Sequence, residues 1–171
     1  MIETRRSDPL LTVTQLLLRI GMVLLAAGIV LAAGAAIALI VIPGQQLLPR
    51  LSADGTVWLV IAGAAPCALM MALYLYFLLN LSRIVATVGT GDPFQPQNAD
   101  RLGRMAWLTL ALQGCMIALA PLVTMIADRI GKPGGGLDLT FDGLLLALVL
   151  FILARVFRSG TQMRDDLEGT V

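Results

Sequence analysis

Residues 89–104 read GTGDPFQPQNADRLGR and form a polar connector in the middle of an otherwise apolar chain. Two long apolar segments precede this connector and two follow it, so it decides how the two halves of the chain face a membrane. Asp92-Pro93-Phe94-Gln95 predicts a tight turn, because proline presets the second turn position and the aspartate can accept backbone N–H groups. Asn98 is then the predicted N-cap of the third helix, with Asp100 in its first turn.

The composition of the chain indicates a membrane protein. Hydrophobic residues make up 58% of the sequence and charged residues 13%, whereas soluble domains have about 45–50% and about 25%. A chain of 171 residues has room for about four membrane-crossing helices and short connectors, but not for a separate soluble domain. We therefore expect residues 1–171 to form a single integral membrane domain.

Several classes of site are disfavoured by the residues that the chain lacks. Histidine is absent, which removes the commonest metal ligand and the usual haem ligand. Cys67 and Cys115 are isolated within apolar runs, where a thiol acts as a small hydrophobic group. The formal net charge of +1 gives no cluster of cations for phosphate binding. We expect no cofactor, no metal and no direct nucleic-acid binding. Since no acid, base or nucleophile lies within an apolar helix, we also expect no enzyme activity.

The four apolar segments predict an all-α fold, a four-transmembrane-helix bundle. The first segment, Ile20 to Ile42, carries no charge and is long enough as a helix to cross a hydrocarbon core of roughly 30 Å. A cleaved signal peptide is the alternative for this segment, but the apolar part of a signal is usually about 7–15 residues. The expected spans are 20–42, 57–79, 105–127 and 141–157, with a connector at 80–104 and a tail at 158–171.

Three residues interrupt the apolar spans. Pro66 and Pro121 each remove a backbone donor, so each predicts a kink or hinge. Gln113 has a strongly polar side chain in the interior of the third span, and it should point into the bundle to bond with another helix. Two interpretations of Gln113 remain open, a polar binding site and a simple staple between two helices.

The distribution of basic residues predicts the orientation. With the amino terminus in the cytoplasm, nine of the twelve Lys and Arg residues lie on the cytoplasmic side and three lie outside. The positive-inside rule favours this arrangement over its inverse. Both termini and the central connector are therefore expected in the cytoplasm. The nine are Arg5, Arg6, Arg19, Arg83, Arg101, Arg104, Arg155, Arg158 and Arg164, and the three are Arg50, Arg129 and Lys132.

Short motifs at the two predicted cytoplasmic exits resemble a known family. They are Gly91-Asp92-Pro93-Phe94, Asn98-Ala99-x-Arg101-Leu102 and the closing stretch that begins Val156-Phe157-Arg158. Through these motifs, and over nearly its whole length, the chain resembles the bacterial family called domain of unknown function 2975. The resemblance implies a four-helix inner-membrane protein without assigned chemistry and a helix-turn-helix regulator as a partner, and it transfers no catalytic residue.

Two functions from different classes follow from these features. The first is a membrane sensor or anchor whose cytoplasmic face binds a soluble protein, and the alternative is a small transporter or channel with a polar site at Gln113. Arg101 and Arg104 could contact either lipid phosphates or the carboxylates of a partner. The oligomeric state stays open. The candidate partner-binding residues are Asp92, Pro93, Phe94, Asn98, Arg101, Arg158, Asp165 and Asp166.

Overall fold

A computed structural model describes residues 9–41, 56–89, 93–131 and 140–168. These residues form four α-helices, α1 (Pro9–Val41), α2 (Thr56–Gly89), α3 (Pro96–Arg129) and α4 (Asp142–Glu168). Each helix is long and apolar enough to cross a membrane. The predicted all-α, four-transmembrane-helix fold is therefore confirmed, and the chain is a multi-pass membrane protein. The side of the membrane that each end faces stays a prediction.

Each helix packs mainly against its neighbour in the chain, α1 on α2, α2 on α3 and α3 on α4. The pairs are antiparallel: Gly21 of α1 faces Leu78 while Gly28 faces Met71, so the residue number falls in α2 as it rises in α1. The connection between α2 and α3, of which residues 93–95 are described and are called the turn below, consequently lies together with the start of α1 and the end of α4. We call this the basic end, because it carries Arg19, Arg83, Arg101, Arg104, Arg155 and Arg158.

The best-packed part of the bundle lies near the basic end, between α3 and α4. Met105 and Ala106 of α3 are almost completely buried there, and Ala154 of α4 is also buried. Small side chains such as these alanines let two helices approach closely, which is how helices associate in a membrane. The full buried cluster is Leu102, Met105, Ala106, Leu150 and Ala154, bordered by Phe77, Leu81, Ile84, Phe151 and Phe157.

The helix α1 lies at the edge of this arrangement. It packs extensively only on α2, and Leu18 is its one buried side chain among those described. Many of its other large apolar side chains are exposed, such as Val23, Val30 and Leu31, as expected for a helix that faces lipid. The core of the protein is therefore built by α2, α3 and α4.

The start of α3 differs from the sequence prediction. The N-cap is Gln95, which makes no side-chain capping bond, and Pro96 occupies the first turn. The prediction that Asn98 caps the helix is wrong, because proline has a preset φ and needs no N–H partner, so it starts the helix earlier. Asp100 consequently lies beyond the first turn, which contains no acidic residue.

The helix α4 is staggered against α3. Gln113, at the middle of α3, contacts Gly143 in the first turn of α4, whereas Asp100 near the start of α3 pairs with Arg158. From Gln113 to the end of α3 is a rise of roughly 24 Å. The helix α3 therefore extends far beyond the point where α4 begins.

Candidate functional site

The turn before α3 is held by the buried side chain of Asn98. Its amide nitrogen donates to the Thr87 hydroxyl at 2.7 Å and to the Pro93 carbonyl at 2.9 Å. Its amide oxygen accepts a hydrogen bond of 2.8 Å from the Arg101 guanidinium. Asn98 thereby joins the end of α2, the turn and the first turns of α3. Because Asn98 is completely buried, it positions this surface and does not itself lie on it.

The end of α4 packs against the same turn. The ring centroids of Phe94 and Phe157 are 5.2 Å apart. A Cβ added at Gly160 would lie 3.1 Å from the Phe94 ring, so the ring lies directly on the backbone of α4. The Thr161 hydroxyl donates to the Phe157 carbonyl at 2.8 Å and lies 3.4 Å from the Phe94 carbonyl oxygen. We call residues 93–98 together with residues 157–161 the cap.

An ion pair on the surface adds to the cap. The Arg158 guanidinium lies 3.0 Å from the Asp100 carboxylate, and the two side chains are 63% and 56% exposed. Exposed pairs contribute little, because water screens the charges and two long side chains must be ordered. The hydrophobic and buried polar contacts of Phe94 and Asn98 therefore dominate the stability of the cap.

This ranking predicts a small effect for the ion pair. Asp100→Asn should lower the free energy of unfolding by less than about 1 kcal/mol, measured by thermal unfolding of the purified protein in detergent. Asp128→Asn, which changes an exposed carboxylate at the far end of α3, is the matched control. A fall in the melting temperature as large as that caused by loss of the Phe94 ring would contradict the ranking.

A groove runs beside the cap along α4. Its cavity volume is about 400 Å³, and its middle is apolar, with Val156 and Met163 54% and 65% exposed. Arg155 lies at its rim. Exposed apolar groups of this size next to charged residues are typical of a surface that binds another molecule. The full lining is Phe94, Ile152, Arg155, Val156, Ser159, Gly160 and Met163.

A second polar cluster surrounds Gln113. Its amide nitrogen donates to the Thr140 carbonyl at 2.8 Å, and its amide oxygen lies directly against the position where Gly143 lacks a side chain. Gln113 thus joins the middle of α3 to the start of α4. Beside it is a cavity of about 300 Å³ lined by Tyr74, Phe77, Thr109, Leu112, Gln113, Met116, Thr140, Asp142, Gly143 and Leu146.

Sequence reasoning singled out Gln113 but not the groups that join it. Asp142 and Tyr74, which line the same cavity, are not among the candidate residues that the sequence predicts. The contact between Gln113 and Gly143 brings both to one cavity. No motif in the sequence marks this meeting, because the register of α4 against α3 is a tertiary property.

The remaining predicted residues lie in separate places. Pro66 is half-buried within α2, and Pro121 is exposed within α3, where its carbonyl accepts a hydrogen bond from the Thr124 hydroxyl; their kinks stay predictions. Asp92 lies outside the described residues. The backbone of Asp165 and Asp166 belongs to the end of α4, and their side chains lie outside the described part. Within the described ranges, no three metal-ligating His, Cys, Asp or Glu side chains gather.

Comparison with known proteins agrees with the resemblance drawn from the cap motifs. The family model described as Protein of unknown function (DUF2975) matches residues 50–171. No curated protein and no solved structure matches the chain. The matched range contains α2, α3 and α4, and α1 lies outside it. The chain belongs to the DUF2975 family of proteins of unknown function.

Proposed function

We propose that this DUF2975 protein is an inner-membrane anchor whose basic end faces the cytoplasm and docks a soluble protein in the groove beside the cap. The observation that carries the proposal is the packing of Phe94 on Phe157 and Gly160. Because this contact joins the turn to α4, the groove has fixed walls. A preformed surface binds a partner with a smaller loss of conformational entropy than a flexible tail.

The position of the groove favours a soluble partner over lipid. Met163 lies eight residues beyond Arg155 on α4, a rise of about 12 Å. Arginines mark the cytoplasmic membrane surface in the predicted orientation, so Met163 extends beyond that surface into water. An apolar side chain that is 65% exposed there has no lipid to cover it.

The lining of the groove indicates the chemistry of the partner. An apolar floor with Arg155 at its rim suits an amphipathic helix whose apolar face is bordered by carboxylates. The helix-turn-helix regulator implied by the family resemblance would fit if it presents such a helix. No direct contact with nucleic acid is part of this proposal.

Site-specific crosslinking in cells tests the docking surface. A photoreactive amino acid at Met163 should give one crosslinked product with a soluble protein, identified by mass spectrometry. The same amino acid at Met125, which is 50% exposed on the part of α3 far from the cap, is the control and should not give that product. Val156→Glu places a carboxylate in the groove and should abolish the product from position 163.

Two results would contradict docking. One is the absence of any protein product at position 163, and the other is a product that persists unchanged in Val156→Glu. Crosslinks to lipid alone would instead mean that the end of α4 lies on the membrane surface.

A further inference from the structure

The two tryptophans give a depth scale for the bundle. Trp107 lies on α3 three residues beyond Arg104, and Trp58 lies near the opposite end of α2, and both side chains are largely exposed. Since Gly63 contacts Leu122, Trp58 is level with about residue 127 of α3. The two tryptophans are therefore separated by a rise of about 30 Å, the thickness of a hydrocarbon core with tryptophans at its two surfaces.

On this scale Asp142 lies inside the apolar layer. Gln113 is six residues from Trp107, a depth of about 9 Å. Because Gln113 contacts Gly143, the neighbouring Asp142 has a similar depth. The first turn of α4 is level with Gln113, so the last turns of α4 extend beyond the basic end.

The Asp142 carboxylate has no partner in the described parts of the chain. No hydrogen bond or ion pair within residues 9–41, 56–89, 93–131 and 140–168 reaches it. An acidic side chain at this depth is costly unless it is paired, and such residues commonly mark a binding site or a path for ions. Asp142 also lines the cavity beside Gln113, so a ligand in that cavity could supply the missing charge.

The other residues that line the cavity indicate which kind of cation it binds. Its lining includes the rings of Tyr74 and Phe77 and the apolar side chains of Leu112, Met116 and Leu146. A divalent metal ion would need about six oxygen ligands, and the lining has one carboxylate. Aromatic rings next to one carboxylate suit an organic cation, whose charge is attracted to the ring faces. The volume of about 300 Å³ suits a small molecule.

We propose that this cavity binds a small organic cation, an amine or quaternary ammonium compound, with its charged nitrogen against the Asp142 carboxylate. The rings of Tyr74 and Phe77 then lie near the charged nitrogen, and the apolar part of the ligand lies against Leu112, Met116 and Leu146. The site is separate from the docking groove, because Gly143 and Gly160 are seventeen residues apart on α4, a rise of about 25 Å. Either site can therefore exist without the other.

The test compares two probes of the same shape. Benzyltrimethylammonium carries the charge, and neopentylbenzene has carbon in place of the charged nitrogen. Binding to the purified full-length chain in nonionic detergent is measured by equilibrium dialysis and by the rise in melting temperature with ligand concentration. The cation should bind to the wild-type protein, and Asp142→Asn should weaken its binding about tenfold, the usual effect of losing a contact to a charged group.

The controls separate the charge from the shape and the fold. Asp128→Asn removes an exposed carboxylate outside the cavity and should leave the affinity for the cation unchanged. The affinity for neopentylbenzene should be the same in Asp142→Asn and in the wild type. If Asp142→Asn does not fold, Tyr74→Leu takes its place. This substitution should lower the affinity for benzyltrimethylammonium more than the affinity for neopentylbenzene. Equal affinity of the cation for the wild type and the variants, or no saturable binding of the cation to the wild type, would overturn the proposal.

Discussion

Asn98→Leu is expected to lower the free energy of unfolding by about 3 kcal/mol, while Asn80→Leu is expected to change it by less than about 1 kcal/mol. Both asparagines are completely buried, and leucine has the same branched arrangement of side-chain heavy atoms as asparagine, with two methyl groups in place of the amide oxygen and nitrogen. Removing the Asn98 amide leaves the Thr87 hydroxyl, the Pro93 carbonyl and the Arg101 guanidinium without this partner. The cost comes from three lost hydrogen bonds that join the end of α2, the turn and α3, in a place where protein atoms partly exclude water.

Asn80 differs because it is poorly satisfied in the native protein. Its amide nitrogen donates to the Tyr76 carbonyl of its own helix at 2.8 Å, and its amide oxygen has no hydrogen-bond partner among the described residues. Leucine at this position removes an unsatisfied oxygen and fills the space with apolar atoms, which can be neutral or stabilising. The surrounding residues lose no hydrogen bond that joins two helices.

Thermal unfolding in detergent measures the contrast between the two variants. With about 2–4 °C for each kcal/mol in a chain of this size, Asn98→Leu should melt on the order of 10 °C below the wild type. Gln97→Leu, at the exposed neighbouring position, controls for a change of amide to leucine in the first turn of α3. Equal destabilisation by Asn98→Leu and Asn80→Leu would show that Asn98 does not hold the turn.

Gly143→Ala is the second substitution with a large expected effect. Its new Cβ would collide with the Gln113 amide oxygen and lie 3.3 Å from the amide carbon. The Gln113 side chain must then move away and lose its hydrogen bond to the Thr140 carbonyl. We expect a loss of about 2 kcal/mol, mainly from the strain of repacking and in smaller part from the lost hydrogen bond, measured again by thermal unfolding.

A matched glycine and a second substitution isolate the cause. Gly114 is exposed on the same α3 turn as Gln113, and a Cβ there meets no atom within 4 Å. Gly114→Ala should therefore stabilise the helix by up to about 1 kcal/mol. In the double variant Gln113→Ala with Gly143→Ala the collision is gone, so the second alanine should cost much less than it does in the presence of Gln113. If the losses in free energy of unfolding from Gln113→Ala and Gly143→Ala simply add in the double variant, the proposed collision between these two positions is wrong.

The sequence was most informative about properties that depend on neighbouring residues. The lengths of the apolar runs predicted four helices, since crossing lipid requires a continuous apolar stretch whose backbone bonds lie within the helix. The helix α2 runs to Gly89, ten residues past the predicted end of the second span, and Leu81, Ile84, Val85 and Val88 recur at helical spacing in this extension. The cap motifs indicated the family that the comparison confirmed.

Two features were not predicted correctly from the sequence: the residue at which α3 starts, and the register of α4 against α3. Pro96 and Asn98 both favour a helix start. The prediction took Asn98 as the cap, whereas the structure has Gln95 as the cap and Pro96 in the first turn. Asp142 and Gln113 line the same cavity because Gly143 has no side chain, which lets the Gln113 amide approach α4. That contact joins residues thirty positions apart, so no local pattern of apolar and polar residues could reveal it.

The peripheral packing of α1 has an evolutionary consequence. The hydrogen bonds and the ion pair described between helices join α2, α3 and α4, and the family match begins after α1. Substitutions in α1 must therefore satisfy lipid and one face of α2, such as Met71 against Gly28. Among related chains, α1 should accumulate sequence differences faster than the other three helices and tolerate exchange for another apolar helix with small residues at that contact.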